Sequence, residues 1–329
     1  MVARIRALAG RSGAAVGVRL GIGDDCALLR LRPGEEAAVT TDLSIEGRHF
    51  LLDTHPPESV GHRTLARGLS DLAAMGARPV AAFLSLGLPP ALARAHGRGR
   101  PWMERFLDGL MALANAHGTP LAGGDLAESP VALADIVLVG AVPRGRALLR
   151  SGASPGDLIY VTGALGGAAA GLERLKGLAG VGKPATSRKQ STANREALLA
   201  PHLFPQPRLT QGLFLQRRGL ASAAIDLSDG LSTDLAHLCE ESGVAAEVEA
   251  ARLPISLGAT LKQALHGGED YELLFTAKPG AKLPRTIAGI PVTRIGKVVR
   301  ADARKPRLCM ITETGPQPLV PHGWEHFSG

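Results

Sequence analysis

Carboxylates stand in this chain where an unpaired charge is hardest to place. Asp24 and Asp25 lie in GIGDDCALL, Asp42 in AVTTDL, Asp71 in GLSDLAAMG and Asp125 in LAGGDL. Asp226, Asp229 and Asp234 follow in AIDLSDGLSTDL, then Glu269 and Asp270 in GGEDYELLF. Their neighbours are glycines, small hydroxyls and aliphatics, the setting of a strand end or loop at a buried cleft. An isolated buried carboxylate is costly, so a fold must bring cations to these segments or gather the segments around one. Lysine is a poor source, because all eight lysines fall at or after Lys176. Some of the 29 arginines can pair, but GGD and IDLSDG bring none with them. A divalent cation with oxygen ligands is the economical partner: magnesium takes carboxylates, hydroxyls and waters, and accompanies substrate phosphates. Thr40, Thr41, Ser70 and Ser228 supply the hydroxyls. In strands, Thr40 shares a face with Asp42, and Asp226 with Ser228.

Each motif also has a plainer reading. Asp71 can pair with Arg67 one helical turn back. Asp229-Gly230 can be a turn, Ser232 or Asp234 a helix cap, and Asp24-Asp25 an ordinary loop. Taken singly these are even alternatives, but five such motifs in one chain are hard to dismiss together.

The segments between the motifs read as alternating strands and helices. Residues 37–42, 80–88, 121–125 and 134–142 have strand character. Residues 59–75 and 101–117 carry apolar residues at helical spacing, with Leu65, Leu69 and Leu72 in the first and Trp102, Phe106, Leu110 and Leu113 in the second. This is a mixed α/β or α+β pattern. A break rich in Arg, Gly and Ser at 143–157 suggests two domains, residues 1–143 and 144–329. Beyond it, 157–163 reads as a strand entering a glycine-rich turn and helix, 209–218 as a helix, and 224–241 as a strand into a helix. Residues 245–249, 271–276 and 291–299 read as strands, and 176–206 as an exposed, polar excursion.

Composition narrows the function. The chain has 329 residues and is 45% hydrophobic, which makes it globular. Its net charge of +7 is scattered, with only 3% aromatics, so a nucleic-acid binder is disfavoured and a polyanionic small molecule suits the arginines. Cys26, Cys239 and Cys309 form no CxxC, and no apolar run reaches the length of a membrane span. A cytoplasmic protein with no nucleic-acid or membrane partner is expected. GLAGVGKP (177–184) nearly spells a Walker A loop, but Pro184 replaces the hydroxyl that would hold magnesium. There is no GxSxG elbow and no HExxH. His62, His117 and His237 read as pairing or solvent-facing residues on helices.

GIGDDCALL, VTTDLSIEGRHF, LARGLSDLAAMGARP, AGGD, GRALLRSGASPGDLIYVTG, AIDLSDGLSTDL, GGEDYELLF and GWEHF occur in this order. Together they resemble the thiamine-monophosphate kinases of the aminoimidazole-ribonucleotide-synthetase-like superfamily, from about residue 20 to the C-terminus. The resemblance implies a two-domain architecture of that type: an N-terminal mixed-sheet domain that binds ATP and magnesium and dimerises through its sheet, and a C-terminal α/β domain completing the active site. It implies transfer of the ATP γ-phosphate to thiamine monophosphate, the last step of thiamine diphosphate biosynthesis, in a homodimer. Residue by residue it implies several Mg2+ ions held by Asp25, Thr40, Thr41, Asp42, Asp71, Asp125, Asp226 and Asp229. It puts Gly124, Asp125, Arg150 and Ser228 at ATP, and His49, Glu269 and Trp324 at the thiamine phosphate. Asp71 thereby moves from helix ion pair to ligand.

The chemistry suits these residues. Donor and acceptor are both polyanions, so catalysis is mostly positioning and charge neutralisation for in-line transfer. The acceptor phosphate oxygen is already ionised near neutral pH, so neither a strong base nor a nucleophilic side chain is required, and no phosphoenzyme is expected. The rivals are an amidine-forming ligase or a selenophosphate synthetase of the same superfamily, the latter usually needing a reactive Cys where Cys26 is read as structural. A non-catalytic nucleotide- or thiamine-binding module is the rival of another class.

Overall fold

The computed structural model describes residues 5–7, 17–23, 25–94, 99–179 and 192–323. Asp24, Trp324 and most of the near-Walker segment (180–184) lie outside the described residues. The chain divides into two compact units. The first comprises Met1–Leu72 and Ala77–Gly145, and the second Ala73–Gly76 and Arg146–Gly329.

In the first unit, a small antiparallel pair, β1 (Val18–Leu20) and β2 (Leu28–Leu29), precedes the long strand β3 (Glu35–Ile45). Then come α1 (Pro57–Ala74), β4 (Arg78–Leu88), a single turn α2 (Pro90–Ala93), α3 (Trp102–Ala116), β5 (Leu121–Glu128) and β6 (Leu133–Pro143). The four long strands form one mixed sheet in the order β3-β6-β4-β5, with β4 and β5 parallel and the other pairs antiparallel. The helical spacing of Val60, Leu65, Leu69 and Leu72 becomes a buried stripe on α1. Gly68 lets this helix lie close on Leu138 of β6, whose side chain a Cβ there would meet at 2.6 Å.

Helix α3 crosses α1 through two glycines. A Cβ on Gly61 would sit 1.9 Å from the Phe106 carbonyl oxygen, and one on Gly109 would sit 1.9 Å from that of Glu58. Mid-helix glycine costs about 1 kcal/mol in propensity. Here it permits backbone-to-backbone approach, which Arg105 secures by a bidentate bond to Glu58 at 2.7 and 2.9 Å.

The second unit holds β7 (Leu158–Thr162), α4 (Gly167–Ala179), α5 (Thr192–Leu203), α6 (Leu209–Arg218) and β8 (Ala223–Asp226). It continues with α7 (Leu231–Glu241), β9 (Val244–Glu249), α8 (Leu261–His266), β10 (Leu273–Ala277) and β11 (Thr286–Ile287). Three strands close it: β12 (Ile290–Arg300), β13 (Leu308–Thr312) and β14 (Gly315–Pro318). They form an eight-stranded sheet in the order β14-β13-β9-β12-β7-β10-β8, with β11 paired to β12. Ile159, Val161, Ile225, Leu274 and Ile295 from its strands join Leu231, Leu235 and Leu238 of α7 in one core.

Two sequence expectations change here. Residues 192–203, read as part of an exposed excursion, form α5, and its end is buried, with His202 at 2% and Leu203 at 8% exposure. Polar composition and Pro201 hid a helix whose buried contacts lie at its C-terminal turn. His62, read as pairing or solvent-facing, is 8% exposed and packs into its unit's interior, so the solvent-facing alternative falls and the pairing one stands.

Candidate active site

The first unit presents its candidate residues on β3, α1 and β5. Consecutive residues of β3 point to opposite sides, and the two threonines take different partners accordingly. Thr40 donates its hydroxyl to the Asp71 carboxylate on α1, while Thr41 donates to Asp135 of β6 at 2.9 Å. Asp42, on the Thr40 side, lies 3.4 Å from Arg67, one helical turn before Asp71. Arg67 also donates to the Ser44 hydroxyl and the Leu43 carbonyl, both at 3.3 Å. The guanidinium that the plain reading gave to Asp71 thus also serves Asp42 as an ion-pair partner. Burial pushes the Asp42 carboxyl up to about 6, and the charge of Asp71 adds to this against the opposing Arg67 guanidinium.

Asp125 enters from β5. Strand register sets it opposite Ser85 of β4, and Ser85 opposite Asp135. Asp125, Ser85 and Asp135 therefore form one row across the sheet, with Thr41 beside it. Thr40, Asp42 and Asp71 gather on the helix-covered side. Gly124 has φ +147, and a Cβ there would lie 1.9 Å from the Leu84 carbonyl oxygen, so only glycine fits between the strands. Asp25 is exposed in the turn before β2.

His49 accepts the Ile45 N–H on Nδ1 at 3.1 Å, which puts the proton of the neutral ring on Nε2. It lines a small recess with Ser44, Phe50, Val60, Arg63 and Arg67. Among the described residues, no three His, Cys, Asp or Glu side chains converge as a metal-holding group. The carboxylates nevertheless stand beside hydroxyls and repel one another, a donor set suited to a hard cation.

In the second unit the sequence motifs become a laced pair of segments. Asp226 ends β8 at 4% exposure, and Ser228 and Asp229 follow in the turn to α7. The GGEDYE segment runs alongside. Leu227 donates its N–H to the Glu272 carbonyl at 2.8 Å, Tyr271 to the Leu227 carbonyl at 2.9 Å, and Glu269 to the Ser228 carbonyl at 2.8 Å. Glu269 and Tyr271 hold positive φ angles of 67° and 50° without being glycines. Such conformations persist only where the surroundings over-determine them. The surroundings here are explicit. Asp270 accepts the Gly166 and Ala168 N–H groups at the start of α4, at 2.5 and 3.0 Å. Glu272, 3% exposed, takes the Thr162 hydroxyl at 2.6 Å and both nitrogens of the Arg208 fork.

Asp234 and Asp135 are the site-linked carboxylates that sequence reasoning left out of its ligand set. Asp234 accepts the N–H groups of Asp229 and Gly230 at 3.1 and 3.0 Å, fixing the turn that carries Ser228 and Asp229. Burial, then the charges of Asp226 and Asp229, push its carboxyl up to about 8. Its place in STDL after the SDG turn was the available signal. Asp135, in an apolar strand opposite Leu43, had the same setting as the other singled-out aspartates. Arg150 lies exposed in a short 3-10 turn, Arg150–Gly152, whose Arg150 carbonyl accepts the Ser242 hydroxyl at 2.6 Å.

Comparison with known proteins places these motifs among relatives. The family model "AIR synthase related protein, N-terminal domain" matches residues 23–142, and "AIR synthase related protein, C-terminal domain" matches residues 154–307. The thiamine-monophosphate kinase of Escherichia coli (strain K12) is 41% identical over 325 residues, covering 94% of this chain and 93% of the relative. The crystal structure of thiamine-monophosphate kinase from Stenotrophomonas maltophilia K279a matches with a TM-score of 0.78 at 39% identity, covering 94% of each chain. A solved complex of AaThiL with AMPPCP and TMP matches with a TM-score of 0.76 at 31% identity, covering 91% of this chain and 89% of the other.

Proposed function

Because the chain belongs to the thiamine-monophosphate kinase family, we propose that it transfers the γ-phosphate of ATP to thiamine monophosphate, giving thiamine diphosphate and ADP. The observation that carries this reading is 41% identity sustained over 94% of the chain. The AaThiL complex with AMPPCP and TMP supports the same pair of substrates.

The residues divide the work by chemistry. Asp25, Thr40, Thr41, Asp42, Asp71, Asp125, Asp226 and Asp229 would hold Mg2+. Bound there, Mg2+ supplies charge neutralisation between the donor and acceptor phosphates. Gly124, Asp125, Arg150 and Ser228 bind ATP, with Gly124 letting β5 lie close on β4 just before Asp125. His49 contributes a neutral Nε2–H donor, and Glu269 a carboxylate, to the thiamine phosphate, and Trp324 an aromatic cover. The reacting oxygen of the acceptor is already anionic, so these groups position and orient, and none need abstract a proton.

The working protein is a cytoplasmic homodimer, with ATP and metal binding and the dimer face in the N-terminal domain (1–143) and the rest of the active site in 144–329. Val39 at 65% and Leu43 at 45% exposure leave apolar surface on β3 to either side of Thr41. No helix among the described residues is long and apolar enough to cross a membrane.

The test is direct. Incubation with magnesium-ATP and thiamine monophosphate, followed by chromatography, should yield thiamine diphosphate in step with ADP, and chelation should abolish both. ADP without thiamine diphosphate would shift the reading to a sister ligase. Return of unchanged ATP would shift it to a binding module.

A further inference from the structure

Glu269 is held in a conformation that L-residues avoid, so something must fix where its carboxylate points. Its backbone is pinned by the Ser228 carbonyl on one side and by the buried anchors of Asp270 and Glu272 on the other. The side chain, 27% exposed, has a neighbour of its own: Nδ1 of His202 lies 3.5 Å from Glu269 Oε2. His202 is 2% exposed and sits at the end of α5, far from Glu269 in sequence. Its place is made by a glycine. A Cβ on Gly171 of α4 would come within 2.9 Å of the His202 Cβ, so α4 leaves space for this one side chain. A buried imidazole at that cost in packing, aimed at a partly exposed carboxylate on a strained backbone, is arranged to hold that carboxylate.

We propose that His202 is a positioning residue for acceptor recognition, fixing the Glu269 carboxylate where thiamine monophosphate binds. The inference rests on the reading of Glu269 as an acceptor contact. It assigns His202 no contact with either substrate. Its removal therefore acts on the acceptor KM through Glu269 and leaves the ATP end, carried by other residues, as it was.

The experiment is a double-mutant cycle on the full chain, with separate KM values for thiamine monophosphate and ATP. Titration calorimetry of thiamine monophosphate provides a readout independent of turnover. His202→Ala is expected to raise the acceptor KM about fivefold to tenfold, the scale of one lost polar contact to a charge. The ATP KM and kcat should stay within about twofold. His202→Asn, whose amide can stand where Nδ1 stood, should recover most of the loss. In a Glu269→Gln background, His202→Ala should add little. Fully additive effects, or a parallel rise in the ATP KM, would overturn the assignment of His202 while leaving Glu269 as an acceptor contact. An unchanged acceptor KM in Glu269→Gln alone would overturn both. If His202→Ala does not fold, the cycle is run with His202→Leu, which keeps the volume and removes the polar atom, and full additivity in that cycle overturns the proposal equally.

Discussion

The amides of Asp229 and Gly230 hold the Asp234 carboxylate where Asp226 and Asp229 oppose its charge. Its folded-state pKa is raised from 3.8 to about 8, so the folded protein binds this proton more tightly than the unfolded chain. The associated stability is present below about pH 4 and is lost as pH rises toward 8. Asp234→Asn mimics the protonated form. Denaturant unfolding in chelator should therefore show the variant gaining on the parent between pH 4 and pH 8 by a few kcal/mol, since each unit of displacement corresponds to about 1.4 kcal/mol. A pH-independent difference would sink the argument. Taking the difference removes His117, which burial lowers and which acts in the opposite direction. A second residue-scale prediction concerns Arg208. Removing its fork in Arg208→Met strands the Glu272 carboxylate at 3% exposure, and the loss should be about 3–5 kcal/mol by denaturant midpoint. A change below about 1 kcal/mol would mean that Thr162 alone suffices.

Among the elements, α1 and α3 depend on how closely two backbones approach. Gly61 and Gly109 each face a carbonyl of the other helix at a distance no Cβ tolerates. Gly109→Ala gains about 1 kcal/mol of helix propensity, yet the helices must separate, so net destabilisation of about 1–3 kcal/mol is expected in thermal or urea unfolding. A stabilised variant would show that the contact is loose. These helices were legible in the sequence because their apolar residues repeat at 3.6-residue spacing over four or more turns. Helix α5 was not. Its sequence, TANREALLAPHL, mixes polar residues with a proline, and its buried face depends on packing against α4. The strands β13 and β14 were missed for a related reason. β13 takes its place by pairing with β9 and β14, so the decisive contacts are remote.

For the whole molecule, the reading predicts a dimer. Sedimentation should give twice the chain mass of 34.1 kDa. A monomer would remove the dimer while leaving the phosphotransfer reading intact, since that reading rests on the identity to the kinase relatives along the chain. Asp42→Asn and Asp226→Asn should each abolish thiamine diphosphate formation with the fold retained by circular dichroism. Near-normal turnover in either would mean that the metal ligands are assigned wrongly. Asp42 carries this prediction best, because burial and the charge of Asp71 push its carboxyl up despite the opposing Arg67 guanidinium.

The sequence by itself determined which segments hold the conspicuous carboxylates. A carboxylate among glycines and aliphatics is conspicuous without any coordinates, and the order of GDD, TTD, SDL, GGD, SDG and GGED is a one-dimensional property. Local periodicity likewise determined the long helices and the central strands. Only the tertiary structure decided partners. It sent Thr40 to Asp71 but Thr41 to Asp135, gave Arg67 to Asp42, and set Asp234 beneath the SDG turn. It also brought His202 beside Glu269, 67 residues further along the chain. The physical reason is that periodicity reports which face a residue occupies, whereas the identity of the group across that face depends on strand register, helix crossing and the space a glycine leaves.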